Sequence, residues 1–251
     1  VLSIDAAAIA LTDKQTTRPF ETITLADADI GKPLTVDIES GPSGTFTADT
    51  LTAGGFALVP GTSTWRLTGE AAAITAALRQ LVFKPRESLA RAGLTTSLTL
   101  KVAVTDNLGA PVEVFSPALV VLSVNDRPTI GRLTVANTIR FGATARAFRS
   151  LVVGDVDPSD RIRVEVRIDR PSKGSVTSAT LRASGFRRIG NGRYRYIGTA
   201  AAATTAVRKL RFAWSPTLDT GIAQQVRLKL IVSDAAGAQL VNNQTWVKLR
   251  R

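Results

Sequence analysis

The 251-residue sequence contains no histidine, no cysteine and no methionine. Without His and Cys there is no Ser-His-Asp or Cys-His nucleophile, no thiolate or imidazole metal site and no disulfide. Any chemistry must come from carboxylates, hydroxyls, Lys, Arg and Tyr. Long apolar runs are also missing. Ala118 to Val124 is among the longest and falls far short of the roughly 18 residues that span a bilayer. No signal-peptide pattern precedes the first strand-like segment, and with no initiating Met the sequence reads as a processed or excised piece. What it does have is a globular composition, 44% hydrophobic and 21% charged, with a net charge of +12. Such a charge calls for acidic partners.

The chain is an internal repeat. Phe20, Asp27, Asp29 and Leu34 match Phe148, Asp155, Asp157 and Ile162 at an offset of 128. Phe56 matches Phe186 at 130, while Gly69, Leu81 and Phe83 match Gly198, Leu210 and Phe212 at 129. Asp106 and Gly109 return to 128 with Asp234 and Gly237. The order is kept with two residues of drift, which predicts two homologous domains, 1–127 and 128–251. Asn125-Asp126-Arg127-Pro128 is the joint, where Pro ends the preceding apolar run. Residues 1–5 echo Val121 to Asn125 and read as the last strand of an upstream repeat.

Period-two alternation dominates. Ile162, Val164, Val166 and Ile168 alternate with polar residues, as do Leu98 to Val104 and Val226 to Val232. Gly190-Asn191-Gly192 marks a hairpin. The Ala-rich stretches Glu70 to Gln80 and Thr199 to Lys209 carry helical spacing. The expected fold is all-β: two tandem antiparallel Greek-key sandwiches, each with one short helix.

The residues that carry a resemblance are Asp27-x-Asp29 and Asp155-x-Asp157, the Asp-x-x-Gly at Asp106 and Asp234, and Asn125-Asp126-x-Pro128. In this order and spacing they resemble the cadherin-like (Ig-like sandwich) and chondroitin sulfate proteoglycan-type tandem repeats of large bacterial surface, adhesin-like proteins. That resemblance implies a non-enzymatic, secreted or cell-surface module with adhesive or structural work and neighbouring repeats as partners. It also implies calcium at the joints, with Asp27, Asp29, Asp106, Asn125, Asp126, Asp155, Asp157 and Asp234 as metal ligands. A hard cation needs six to eight oxygens. The same residues also fit plain turn chemistry, in which Asp accepts from nearby backbone N–H groups.

Charge is unevenly divided. Residues 1–127 hold 10 Lys and Arg against 13 Asp and Glu, a net of −3; residues 128–251 hold 22 against 7, a net of +15. Arg161, Arg163 and Arg167 share the solvent face of one strand. Arg187 and Arg188 sit across a turn from Arg193 and Arg195. These seven are candidate anion-binding residues, because the guanidinium fork pairs with carboxylate and phosphate. An anionic polysaccharide or cell surface, an acidic neighbouring subunit in a self-assembling layer or filament, and a solvated face with no partner are the competing readings. Nucleic acid is disfavoured, since no nucleic-acid fold is present and Tyr194 and Tyr196 alternate with arginines toward the core. A carbohydrate-binding or polysaccharide-processing accessory domain is a further alternative. Catalysis would need paired acids, and most acids here lie at turns. Trp65, Trp214 and Trp246 suggest a sugar platform, but Trp65 aligns with Tyr194 and both fall on strands, which favours core packing.

Overall fold

A computed structural model describes residues 2–4, 7–27, 32–106, 109, 111–133, 135–157, 161–217 and 224–250. The chain forms two compact units, Val1–Val124 and Asn125–Arg251. The joint residues Asn125, Asp126 and Arg127 thus fall with the second unit. The Asn125 amide donates to Asp234 at 3.0 Å, and the Asp126 backbone N–H donates to Asp157 at 2.7 Å.

In the first unit a five-stranded sheet runs in the order Val112–Phe115, Lys101–Thr105, Leu34–Glu39, Thr64–Gly69, Ala57–Leu58. Its alternation explains its layering. Leu34, Val36 and Ile38 are buried, while Thr35, Asp37 and Glu39 face outward. A second layer pairs Ile9–Thr12, Leu119–Leu122 and Thr95–Leu98, with Gly44–Phe46 against Phe83–Pro85 beside it. Between them lie Phe20, Val36, Ile74, Leu78, Leu81, Phe83, Val102 and Val121, all fully out of water.

The second unit repeats this plan. Its main sheet has six strands, ordered Ala136–Arg140, Gln239–Arg250, Gln225–Ser233, Ile162–Ile168, Arg193–Gly198, Arg187–Gly190. The longer sheet has a local cause. In the first unit Pro117 lies between two short strands, whereas the second unit runs through as one 12-residue strand opposite a bulge at Leu228/Leu230.

Three expectations need amendment. First, among the described residues each unit has two α-helices, and the second has a 3-10 turn at Pro171–Lys173 as well. Ala71–Gln80 and Ala200–Lys209 are the expected ones; Ala48–Ala53 and Ser178–Ser184 are additional. The extra helices are only six and seven residues long, so their periodicity is faint, but both use one device. Thr47 bonds Thr50 and Thr177 bonds Thr180, each at 2.8 Å, and Thr50 and Thr180 accept the backbone N–H groups of Val82 and Arg211. Second, one strand pair per unit is parallel: Ile9–Thr12 with Leu119–Leu122, and Ala136–Arg140 with Gln239–Arg250. These pairs join the beginning of each unit to its end, a contact local pattern does not reveal. Third, Leu2–Ser3 pairs with Thr24–Leu25 inside the first unit, as Thr129–Gly131 pairs with Val152–Gly154 inside the second. Leu2 opposite Leu25 matches Ile130 opposite Val153 at the repeat's own offset of 128. Leu2–Ser3 thus takes the place in the first unit that Thr129–Gly131 takes in the second.

Candidate anion-binding site

The acidic residues come first. In the second unit the structure gathers Asn125, Asp126, Asp155, Asp157 and Asp234 at one pole. Asp157 is buried and accepts the Asp126 N–H; its own N–H donates to Asp155 at 3.1 Å. Asp234, also buried, accepts the Ala238 N–H at 2.8 Å and the Asn125 amide. These carboxylate oxygens already serve N–H donors, which is turn chemistry. In the first unit Asp27 is half-buried and Asp106 exposed, while Asp29 lies outside the described residues. Among the described residues no three or more acidic groups stand close enough to hold a metal ion. Asn125 Oδ1 is buried and accepts no hydrogen bond, and no function is derived through calcium.

The arginines assemble differently. Strand register sets them in rows across the outer face of the six-stranded sheet. Arg167 stands opposite Arg193 on one side and Lys229 on the other; Arg187 stands opposite Arg195, which stands opposite Glu165. Arg163 is exposed on the same strand, and Arg161 is exposed just before it. Arg188 does not join the rows. It folds back on its own turn, donating to the Gly190 carbonyl at 3.2 Å and Asn191 at 3.3 Å. Three members were not singled out from sequence as part of this face. Arg227 and Lys229 come from a strand some sixty residues downstream, and Trp246 underlies Arg227, whose guanidinium lies 4.4 Å from the ring centroid. Trp246 is thus on the outer face, whereas Trp214 is buried and Trp65 packs against the core.

Among the described residues Glu165 is the one carboxylate on these rows. It is 7% exposed. One of its oxygens accepts from Arg167 at 2.7 Å and from Arg193 at 2.9 Å. Burial works against its ionisation, and the two arginines more than offset that, so its carboxyl is held below the usual glutamate range. Arg195 and Arg227 each keep a buried Nε with no hydrogen-bond partner. Two positively charged side chains directly opposite destabilise a strand pair, yet Arg187/Arg195, Arg167/Arg193 and Arg167/Lys229 are all so placed.

The first unit supplies an internal comparison. Its equivalent face carries Asp37, Arg66 and Lys101 where the second has Glu165, Arg195 and Lys229. There every cation has a carboxylate: Arg66 forks onto Asp37 with two bonds of 2.7 Å, and Lys101 meets Glu113 at 2.9 Å. The second unit places Arg163, Arg167, Arg187, Arg193 and Arg227 where the first has Thr35, Glu39, Ala57, Thr64 and Thr99, and Val241 where the first has Glu113. One fold thus presents a charge-paired face and a cationic one.

No family model matches the chain. No curated protein matches it either. Among solved structures, the titin domains Z1Z2 in complex with telethonin align over 99% of this chain and 94% of theirs, at 10% identity and a TM-score of 0.30. Drosophila N-cadherin EC1-3 aligns over 98% and 63%, at 11% and 0.30. The human desmocollin-1 ectodomain aligns over 98% and 36%, at 12% and 0.32. Likenesses this distant do not bear on function, which rests on the side chains above. Among the described residues no helix is long and apolar enough to cross a membrane.

Proposed function

We propose that the chain is a structural and adhesive tandem module of a secreted or cell-surface bacterial protein, and that its second sandwich holds an anionic polymer against the outer face of its six-stranded sheet. One observation carries this: the same face is charge-paired in the first unit and cationic in the second. A fold that forms equally well with paired charges does not require this cationic face for stability. Rows of cations about 4.8 Å apart across strands and about 6.8 Å apart along them match a chain of regularly spaced anions better than a lone ion. The depressions lined by Arg86 and Glu87, by Arg146 and Arg211, by Lys14 and Gln15, and by Arg167 and Asp169 each bring at most one carboxylate. That supports a binding role over glycoside hydrolysis, which needs a pair.

The test is retention of the full chain on immobilised dextran sulfate. Replacing Arg163, Arg187 and Arg195 with Gln should lower the eluting salt concentration sharply, since exposed charges are screened over about 8–10 Å at ordinary ionic strength. Replacing Arg66 and Lys101 with Gln, on the matching face of the first unit, should not. Equal effects from the two sets would reject the proposal. Self-association of the chain that the first set abolishes would favour an assembling layer instead.

A further inference from the structure

We infer that one end of this face is a built seat for a single sugar ring bearing a phosphate or sulfate monoester. The inference rests on the anion-binding reading above and narrows it to a ligand class. The seat is a depression of about 440 Å³ whose polar lining is Arg167, Arg193, Arg227, Lys229, Asn191, Asn243 and Asp169, with Ile168 beside them. That size lies in the range that accepts small organic ligands.

Its four cations come from three adjacent strands and are held in place. Glu165 takes the Nε–H of Arg167 and of Arg193 on one oxygen, which fixes both guanidinium groups and leaves each with outer Nη–H donors. Arg227 has its guanidinium carbon over the Trp246 ring, 4.4 Å from the centroid, with its Nε buried and unbonded. A guanidinium is planar and presents its N–H donors as a fork suited to two oxygens of one anion. Asp169 is tied into the backbone, accepting the Arg227 N–H at 2.8 Å. Four cations against Glu165 and Asp169 leave +2, which the dianion of a phosphate monoester balances in full and a sulfate monoester, a monoanion, balances in half.

The remaining polar lining points to a sugar. Asn191 and Asn243 also line the depression, and Asn191 already accepts from Arg188, which leaves its NH₂ to donate. Hydroxyl groups need this mixture of donors and acceptors; a bare oxyanion does not. The matching positions of the first unit are Glu39, Thr64, Thr99 and Lys101, and its single cation is already paired with Glu113.

The experiment titrates the full chain by calorimetry with glucose 6-phosphate, glucose 6-sulfate, glucose and inorganic phosphate. Two double variants are compared: Arg227→Gln with Lys229→Gln inside the seat, and Arg163→Gln with Arg187→Gln on the same face outside it. Both variants lose the same charge, and unchanged melting curves verify their folds. The esters should bind, and glucose should not. The seat variant should lose at least about tenfold in affinity, the loss of one charge-assisted contact, while the outer variant changes by less than about twofold. Whichever ester binds tighter names the source. Equal loss in the two variants overturns the seat, as does inorganic phosphate binding as tightly as the sugar ester. Esters that fail to bind while dextran sulfate is still retained also overturn it, and leave the broader anion-binding reading standing. Loss of dextran sulfate retention as well would remove both.

Discussion

Glu165→Gln tests whether the cationic face is held together at its centre. The carboxylate accepts from Arg167 and Arg193, and the amide would replace an ionised acceptor with a neutral one. Charge-assisted bonds contribute about 1.5–3 kcal/mol each when protected, but the two arginine side chains are 41% and 46% exposed, which pulls the figure toward that of surface pairs. A loss of about 1–2 kcal/mol follows, or a fall of about 4–8 °C in the melting transition of the second unit. The substitution should also raise the salt needed to elute the chain from dextran sulfate, because it removes the one opposing charge among the rows. Stability and retention should therefore move in opposite directions. The pH dependence has a definite sign. The folded carboxyl titrates below its ordinary value, so its contribution is complete above the unfolded value of about 4.3 and disappears as pH falls through the lower, folded one. Scanning calorimetry of the full chain should show parent and variant apart at neutral pH and converging in acid. Added salt should also narrow the gap, by screening repulsion among the remaining cations. A variant as stable as the parent at neutral pH and low salt would refute this reasoning.

Other outcomes follow from single contacts. A Cβ at Gly44 would come within 2.4 Å of the Phe83 ring, and one at Gly174 within 2.4 Å of the Phe212 ring and the Ala213 carbonyl; Gly44→Ala and Gly174→Ala should each cost about 1–3 kcal/mol in denaturant unfolding. Tyr194→Phe removes the hydroxyl that accepts the buried Val176 N–H at 3.3 Å, which should lower the stability of the second unit by about 1–2 kcal/mol and leave the first unit's transition unmoved. Asp13 is fully buried and accepts the backbone N–H groups of Ser88 at 2.9 Å and Val124 at 3.2 Å; Asp13→Ala strands both donors and should cost about 2–5 kcal/mol, read from the first unit's transition.

What could be read from sequence was what is local. Alternation from Ile162 to Ile168 placed Val164 inside and Arg163 outside, and the spacing of Ile74, Leu78 and Leu81 placed a helix against the core. The repeat offsets were legible too, and they later matched Leu2 with Ile130. Residues 1–5 echo Val121 to Asn125, but short apolar strands resemble one another; pairing, not composition, decides which strand is which. The site was half legible. Arg167 and Arg193 stood out by pattern, but Arg227, Lys229 and Trp246 reach the same face only through register with distant strands. Arg188 looked equivalent to Arg187, yet one step along a strand changes the face it serves. Asp13 gave no signal, since an acid between Thr and Lys looks like a surface turn until Ser88 and Val124 close over it.

The central claim is that the second sandwich, and not the first, holds anions on the outer face of its main sheet. Backbone NMR of the full chain titrated with a short dextran sulfate oligomer tests it residue by residue. Shifts should concentrate in Ile162–Ile168, Arg193–Gly198 and Gln225–Ser233 and spare the matching strands Leu34–Glu39, Thr64–Gly69 and Lys101–Thr105. Shifts spread evenly over both sets, or confined to the first, would contradict it.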